Sequence, residues 1–410
     1  MSRSPQHRGW ISIVRLRVTN AALVSAVAMV PLLVAGQSTH SQTYRESVIH
    51  SFGDRLDGNV LFSGLVLDPA GNLYGTTYGG GTNGWGTVFK LDATGKETVL
   101  YSFDCGTDSP SAGLVRGASG KLFGTTGGAC SGKGTLFELN SVSGHEKFLY
   151  FFTGTGGDGA NPWGGLVRGR SGNLYGTTLQ GGDLNCQHGL GCGTVFRMNS
   201  AGKETVLHRF AGTPDGALPF AGLVQDATGN YYGTTSGGGA YGYGAVFKVT
   251  KSGKVRLVYS FTGNSSDGTV PYGSLIHDRS GNLYGTTSAG GTHGSGTVFK
   301  LNGTGKETVL YSFKGRRDGG VPLAALFRDP AGSLYGTTQV GGGTECGGRG
   351  CGVVFKLDKN GKEVVLHRFT GADGALPVAN LIRDAKGDFY GTTSERGDFG
   401  LGTVFKLTPQ

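Results

Sequence analysis

The tripeptide Gly-Thr-Thr occurs seven times, starting at Gly75, Gly124, Gly176, Gly233, Gly285, Gly336 and Gly391, at intervals of 49 to 57 residues. A period of this size marks a repeat fold, in which one supersecondary unit buries its apolar face only against its neighbours. Within one period, residues 63–103, four short runs rich in β-branched and aromatic residues (SGLVLD, LYGTT, TVFKLD, ETVLYSF) are separated by turn residues. Two of the separators, beginning at Asp68 and Asp92, have the form Asp-x-x-Gly-Asn/Lys, in which Asp caps the turn and Gly takes positive φ. No helical periodicity interrupts the pattern. Four antiparallel strands in about 50 residues, repeated without helices, describe a propeller blade.

The ends of the repeats fix the topology. The seventh copy stops after its third strand, at residues 403–407, and the missing fourth strand stands at the other end, where residues 45–52 (RESVIHSF) match ETVLYSF. Pairing the N-terminal strand into the last blade closes a ring and removes a free sheet edge. The expected fold is therefore all-β, a seven-bladed propeller of four-stranded blades occupying residues 44–410 as one domain. The Thr-Thr pairs end each second strand, and the preceding Gly is expected to let backbones approach closely.

Residues 1–36 have a different character. Arg3, Arg8, Arg15 and Arg17 precede an apolar stretch of 16 residues, 21–36, shorter than the ~20 needed to span a bilayer and ending in Val34-Ala35-Gly36. This reads as a cleaved secretory signal, with an uncleaved anchor as the alternative, followed by a short linker at 37–43. Cleavage lowers the formal charge from +9 to +5 (9 − 4), and neither basic runs nor aromatic-interleaved basic patches point to nucleic acid. The expected location is secreted or periplasmic, without membrane attachment after cleavage, and the expected state is a monomer. The 80 glycines have no three-residue period and recur at turns, which excludes collagen and argues against disorder.

All six cysteines follow the signal. Cys186 with Cys192 and Cys346 with Cys351 occupy equivalent loops three repeats apart, leaving Cys105 with Cys130 as a third pair. Disulfides are favoured over zinc because CQHGLGC and CGGRGC lack paired C-x₂-C spacing. No metal or cofactor is expected.

The segments DxxGNLYGTT, GxGTVFKL and KETVLYSF, recurring together over residues 44–410, resemble the GloVer tandem-repeat family (Gloeo_Verruco repeat) of exported bacterial proteins. The resemblance implies a bacterial, exported, propeller-like protein and carries no catalytic residues with it. Family members are described with C-terminal surface anchors; here the sequence ends at Gln410 and a soluble product is expected.

Positions shared by every repeat are expected to serve the repeat itself. His50, His208 and His367 take the place of Tyr101, Tyr150, Tyr259 and Tyr311, a structural slot, while Asp57, Asp158, Asp215, Asp267, Asp318 and Asp373 read as Asp-Gly turns between blades. His188 and His293 lie in freer loops without an acidic partner. Function is sought where repeats disagree. Just before the innermost strand stand Phe62, Ser111, Trp163, Phe220, Tyr272, Leu323 and Val378; before the third strand stand Trp85, Lys133, Cys192, Tyr243, Ser295, Cys351 and Leu401. The aromatics Phe62, Trp163, Phe220, Tyr272, Trp85 and Tyr243 are the candidate ligand-binding residues, able to stack on sugar rings or grip a peptide, against a simpler reading as packing between blades.

No nucleophile elbow, P-loop or HExxH is present. The expected role is an exported binding module for an extracellular polysaccharide or protein. A polysaccharide-active hydrolase or lyase with its site at the central channel, and a purely structural repeat protein, are the alternatives.

Overall fold

A computed structural model describes residues 43–410 except Asp54, Asp108 and residues 129–131. The expected signal and almost all of the linker lie outside the described residues. Seven antiparallel sheets follow one another around a ring, closed as the repeat ends require. Blade 1 consists of Val66–Leu67, Leu73–Thr77, Thr87–Leu91 and Glu97–Ser102, and blades 2 to 6 repeat this order. In blade 7, Ile382–Arg383, Phe389–Thr393 and Thr403–Pro409 are completed by the N-terminal strand Tyr44–Ser51. That closing strand pairs from Tyr44 opposite Pro409 to Ser51 opposite Thr403.

The innermost strand of each blade is shorter than its apolar run, with only two residues in the ladder. The residues preceding it turn away to line the ring's centre. Every outer strand carries a register shift midway along its partner, as at Val88/Phe89 in blade 1. Such bulges increase local twist.

Each part of Gly-Thr-Thr has its own task. Gly75 faces Phe89 across the ladder, and a Cβ there would lie 2.5 Å from Phe89 Cζ; the other six glycines face Phe137, Phe196, Phe247, Phe299, Phe355 and Phe405 in the same way. The expectation of close backbone approach is thus corrected: what fills the space above each glycine is an aromatic ring from the third strand. The first Thr reaches across to the next blade. Thr76, Thr125, Thr177, Thr234, Thr286, Thr337 and Thr392 donate to carbonyls of Ala112, Pro162, Ala221, Gly273, Ala324, Ala379 and Ser63 at 2.9–3.4 Å. The last of these joins blade 7 to blade 1. The second Thr latches its own blade, pairing with the first Thr of the third strand in five blades, as in Thr77 with Thr87 at 3.0 Å.

The core lies between blades. The Phe ending each outer strand meets the third-strand Phe of the next blade edge to face, at centroid distances of 5.0–5.2 Å, beginning with Phe52 on Phe89 and ending with Phe369 on Phe405. The fourteen rings form seven pairs, one across each interface between blades, so no blade buries its own surface alone.

The Tyr/His slot and the blade-linking Asp are partners. Tyr150, Tyr259 and Tyr311 donate to Asp158, Asp267 and Asp318 at 2.8–3.1 Å, and His208 and His367 meet Asp215 and Asp373 at 2.9 and 2.7 Å. Into these seams the outer strand of the following blade sends a half-buried glutamate. Burial first, and the linking aspartate second, push Glu97, Glu204, Glu307 and Glu363 up from 4.5 to about 7. The folded chain therefore favours their protonated form. Their contribution to stability is complete below the ordinary value and is lost as pH rises from about 4.5 to 7. At the acid end, Asp226 is held down to about 2 by hydrogen bonds from Asn230 and Thr228 that outweigh its burial, so its contribution is lost as pH falls from the ordinary 3.8 towards 2. Thermal melts are expected to give a higher Tm at pH 5 than at pH 7.5. Replacing all four glutamates by Gln should flatten that difference chiefly by raising Tm at pH 7.5; an unchanged pH profile would remove the seams as its cause.

Candidate functional site

The ring's centre opens into a cavity of about 240 Å³ to which all seven blades contribute. Its mouth is set by the seven variable positions before the innermost strands, and each is adjacent to a carbonyl held by the first Thr of the preceding blade. Phe62, Trp163, Phe220 and Tyr272 all line it, along with Ser111, Leu323 and Val378.

The aromatics form an arc. Phe62 meets Trp163 at 6.2 Å, Trp163 meets Phe220 at 6.2 Å, and Phe220 meets Tyr272 at 4.8 Å. Tyr78 extends the arc, 5.4 Å from Phe62 and 6.1 Å from Trp163. Blade 2 makes this possible by being small where its neighbours are large. Its two positions facing the mouth are Ser111 and Gly127, and a Cβ on Gly127 would stand 3.1 Å from the Trp163 indole nitrogen. Rings of blades 1 and 3 therefore meet over blade 2. Phe62 remains 38% exposed, so the arc presents apolar surface to solvent as well as packing against itself.

Tyr78 was missed by sequence reasoning that compared only the positions before the first and third strands. Aligning the residue after each Gly-Thr-Thr (Tyr78, Gly127, Leu179, Ser236, Ser288, Gln339, Ser394) would have singled it out as an aromatic among smaller or polar residues.

Trp85 and Tyr243 sit apart from this cavity. Trp85 packs against the core cluster between blades 1 and 2, which includes Phe103 and Phe137. Tyr243 is 46% exposed, and its ring covers Gly263 at the end of its own blade's outer strand. The structure thus divides the six aromatic candidates into four that converge and two that do not.

The polar side chains of the cavity are Ser63, Ser111, Ser274, Asn380, the Tyr272 hydroxyl and the Trp163 indole N–H, and backbone groups of its small residues add to its polar surface. Among the described residues, its lining contains no Asp, Glu, His, Lys, Arg or Cys. His188 is exposed in a short 3₁₀ turn with φ of 54°, and His293 is exposed in its loop.

Two disulfides stiffen the loops around this end. Cys186 bonds Cys192 and Cys346 bonds Cys351, with Cα separations of 5.5 and 5.3 Å. The inner cysteine of each pair is fully buried, and its carbonyl accepts a hydrogen bond from the next blade, Cys192 from Leu218 and Cys351 from Leu376. In the third expected pair, Cys105 with Cys130, Cys130 lies outside the described residues. The disulfides fit an exported protein.

The profile of the Gloeobacter/Verrucomicrobia repeat matches residues 37–223 and 110–349. The chain belongs to that repeat family. No curated protein matches this repeat protein in sequence. Among solved structures it is similar to the extracellular domain of a putative hybrid two-component system from B. thetaiotaomicron, with 14% identity, a TM-score of 0.56, and coverage of 90% of this chain and 41% of that one. It is also similar to the extracellular domain of a putative one-component system from the same organism, with 10% identity, a TM-score of 0.55, and coverage of 88% and 39%. The chain spans about two-fifths of the length of either structure. These likenesses extend to the fold. No described helix is long and apolar enough to cross a membrane.

Proposed function

We propose that this repeat protein is an exported binding module that engages an extracellular polysaccharide through the aromatic arc at its channel mouth. The arc of Tyr78, Phe62, Trp163, Phe220 and Tyr272 carries the reading. A scaffold needs no such clustering at positions its repeats leave variable, and flat apolar rings beside a few hydroxyl and amide groups suit the apolar faces and hydroxyl edges of sugars. The cavity is smaller than the roughly 300–1,000 Å³ of pockets that engulf a drug-sized ligand. A single ring or chain end is therefore held at the mouth.

The lining also weighs against the hydrolase or lyase reading, since it offers no carboxylate or imidazole for proton transfer among the described residues. A purely structural role gives no reason for aromatics to converge at positions that the repeats leave variable.

A glycan array probed with the full chain, followed by calorimetry on any hit, tests the proposal. Trp163→Ala is expected to weaken binding roughly tenfold or more, the loss of about 1.4 kcal/mol or above that removing a central aromatic contact produces. Ser295→Ala, remote from the arc, should leave affinity unchanged. Absence of any glycan ligand, or binding indifferent to both Trp163→Ala and Phe62→Ala, would overturn it.

A further inference from the structure

We propose that the seam between blades 6 and 7 is a site for a divalent first-row cation of the zinc type, ligated by Glu46, His367 and Asp373. One ligand atom from each of the three side chains lies within 4.8 Å of the other two. Among the described residues, no other group of three His, Cys, Asp or Glu side chains comes together in this way. Three separate segments supply them: Glu46 from the closing strand, His367 from the outer strand of blade 6, and Asp373 from the link into blade 7.

The other seams act as an internal comparison. Four, at Tyr101, Tyr150, Tyr259 and Tyr311, have Tyr in place of His367; a phenol is a poor neutral ligand and donates its proton to the aspartate, as Tyr311 does to Asp318 at 2.8 Å. The seam after blade 3 keeps His208 and Asp215 but has Val255 where the glutamate would stand. The seam after blade 7 keeps His50, Asp57 and Glu97, yet His50 and Asp57 are 3.8 Å apart and the trio does not converge. Among the described residues, only the seam between blades 6 and 7 brings imidazole and both carboxylates together.

Second contacts orient the set. Asp373 Oδ1 accepts hydrogen bonds from the Thr370 amide at 2.8 Å and hydroxyl at 3.0 Å, which turns Oδ2 towards His367 Nε2 at 2.7 Å. The His367 ring is held edge-on against buried Phe369, with centroids 4.8 Å apart. Glu46 Oε1 is buried and has no hydrogen-bond partner, like Oε1 of Glu97, Glu204, Glu307 and Glu363; among the described residues only Glu46 has an imidazole and an aspartate both within 4.8 Å of it and of each other. Metal bonds of ~2.0–2.2 Å in a tetrahedron separate donor atoms by about 3.3 Å. The His367–Asp373 pair would open by roughly half an ångström, and Glu46 would swing in by a rotamer adjustment. One imidazole and two carboxylates suit Zn²⁺, with water in the fourth position, whereas Ca²⁺ would need several more oxygens.

The test is a titration of the full chain, purified without a polyhistidine tag and stripped by chelator, with Zn²⁺ by calorimetry and with Co²⁺ by visible absorption. The expected result is one equivalent bound, a Co²⁺ spectrum of low coordination number, and a Zn²⁺-dependent rise in Tm. Two variants copy solutions the fold already uses, His367→Tyr as in the Tyr311 seam and Glu46→Val as in the Val255 seam. Each should stay folded and lose affinity a hundredfold or more. No stoichiometric binding to the wild-type chain, or equal binding in His367→Tyr, would overturn the proposal; circular dichroism of each variant separates lost ligation from lost fold. The outcome is independent of glycan binding at the channel mouth.

Discussion

Deleting residues 44–52 is expected to abolish cooperative folding of the ring, although only nine of 410 residues are removed. The deletion strips the outer strand from blade 7 and exposes the ladder edge of Thr403–Pro409 along seven paired positions. It also removes Phe52, fully buried against Phe89 of blade 1, and truncating a buried Phe alone costs about 3–5 kcal/mol. Those losses fall at the one seam where first and last blades meet. The remaining closure contacts, such as Thr392 to the Ser63 carbonyl at 3.2 Å, would have to hold the ring unaided. An open edge beside uncovered apolar surface also favours pairing between chains. Circular dichroism melts and size-exclusion chromatography should show a broad or absent transition and soluble oligomers. A sharp monomeric transition near the wild-type Tm would show that closure by the N-terminal strand is dispensable.

Gly285→Ala is expected to be strongly destabilising for the addition of a single methyl group. The new Cβ would lie 2.6 Å from Phe299 Cζ and 2.8 Å from Leu275 Cδ2, both on fully or almost fully buried side chains with no room to retreat. Overpacking of this sort costs typically about 1–3 kcal/mol and sometimes more. The origin is space and not backbone conformation, so the double variant Gly285→Ala/Phe299→Leu should recover part of the loss. Gly281→Ala gives a contrast: it stands in open space but at φ of +80°, so its cost is conformational and should not respond to Phe299→Leu. Denaturant melts of the wild type, the three single variants and the two doubles with Phe299→Leu would distinguish the two origins. Additive effects of Gly285→Ala and Phe299→Leu would contradict the steric account.

These outcomes bear on what could be read from the chain. The blade count was legible because Gly285 and its six equivalents are each required by their own Phe, a local cross-strand pair that every copy must satisfy. Closure was legible because residues 45–52 carry the same strand pattern as residues 96–103. The channel-mouth aromatics were legible as variable positions, but their arrangement was not. Whether Phe62 touches Trp163 depends on Ser111 and Gly127 being small in the blade between them. Trp85 had the same sequence signal as Trp163, yet its ring found the core between blades, an alternative that composition and spacing do not distinguish. Tyr78 was legible in the alignment of residues after Gly-Thr-Thr, but its contacts with Phe62 and Trp163, 16 and 85 residues away in the chain, were not.

The seams show the same division. The Tyr/His slot and the blade-linking Asp each looked like a self-contained repeat feature, and only the folded chain joins them in hydrogen bonds. Glu46, His367 and Asp373 could not be grouped from sequence, since more than 300 residues separate the first from the others. The sequence by itself determined the unit, its number and the way the ring closes, because short-range strand, turn and cross-strand packing rules are written into every period. Tertiary structure alone decided which variable side chains meet at the channel mouth and which ionisable groups share a seam, because a closed ring brings together residues from different blades whose mutual distances no periodicity encodes.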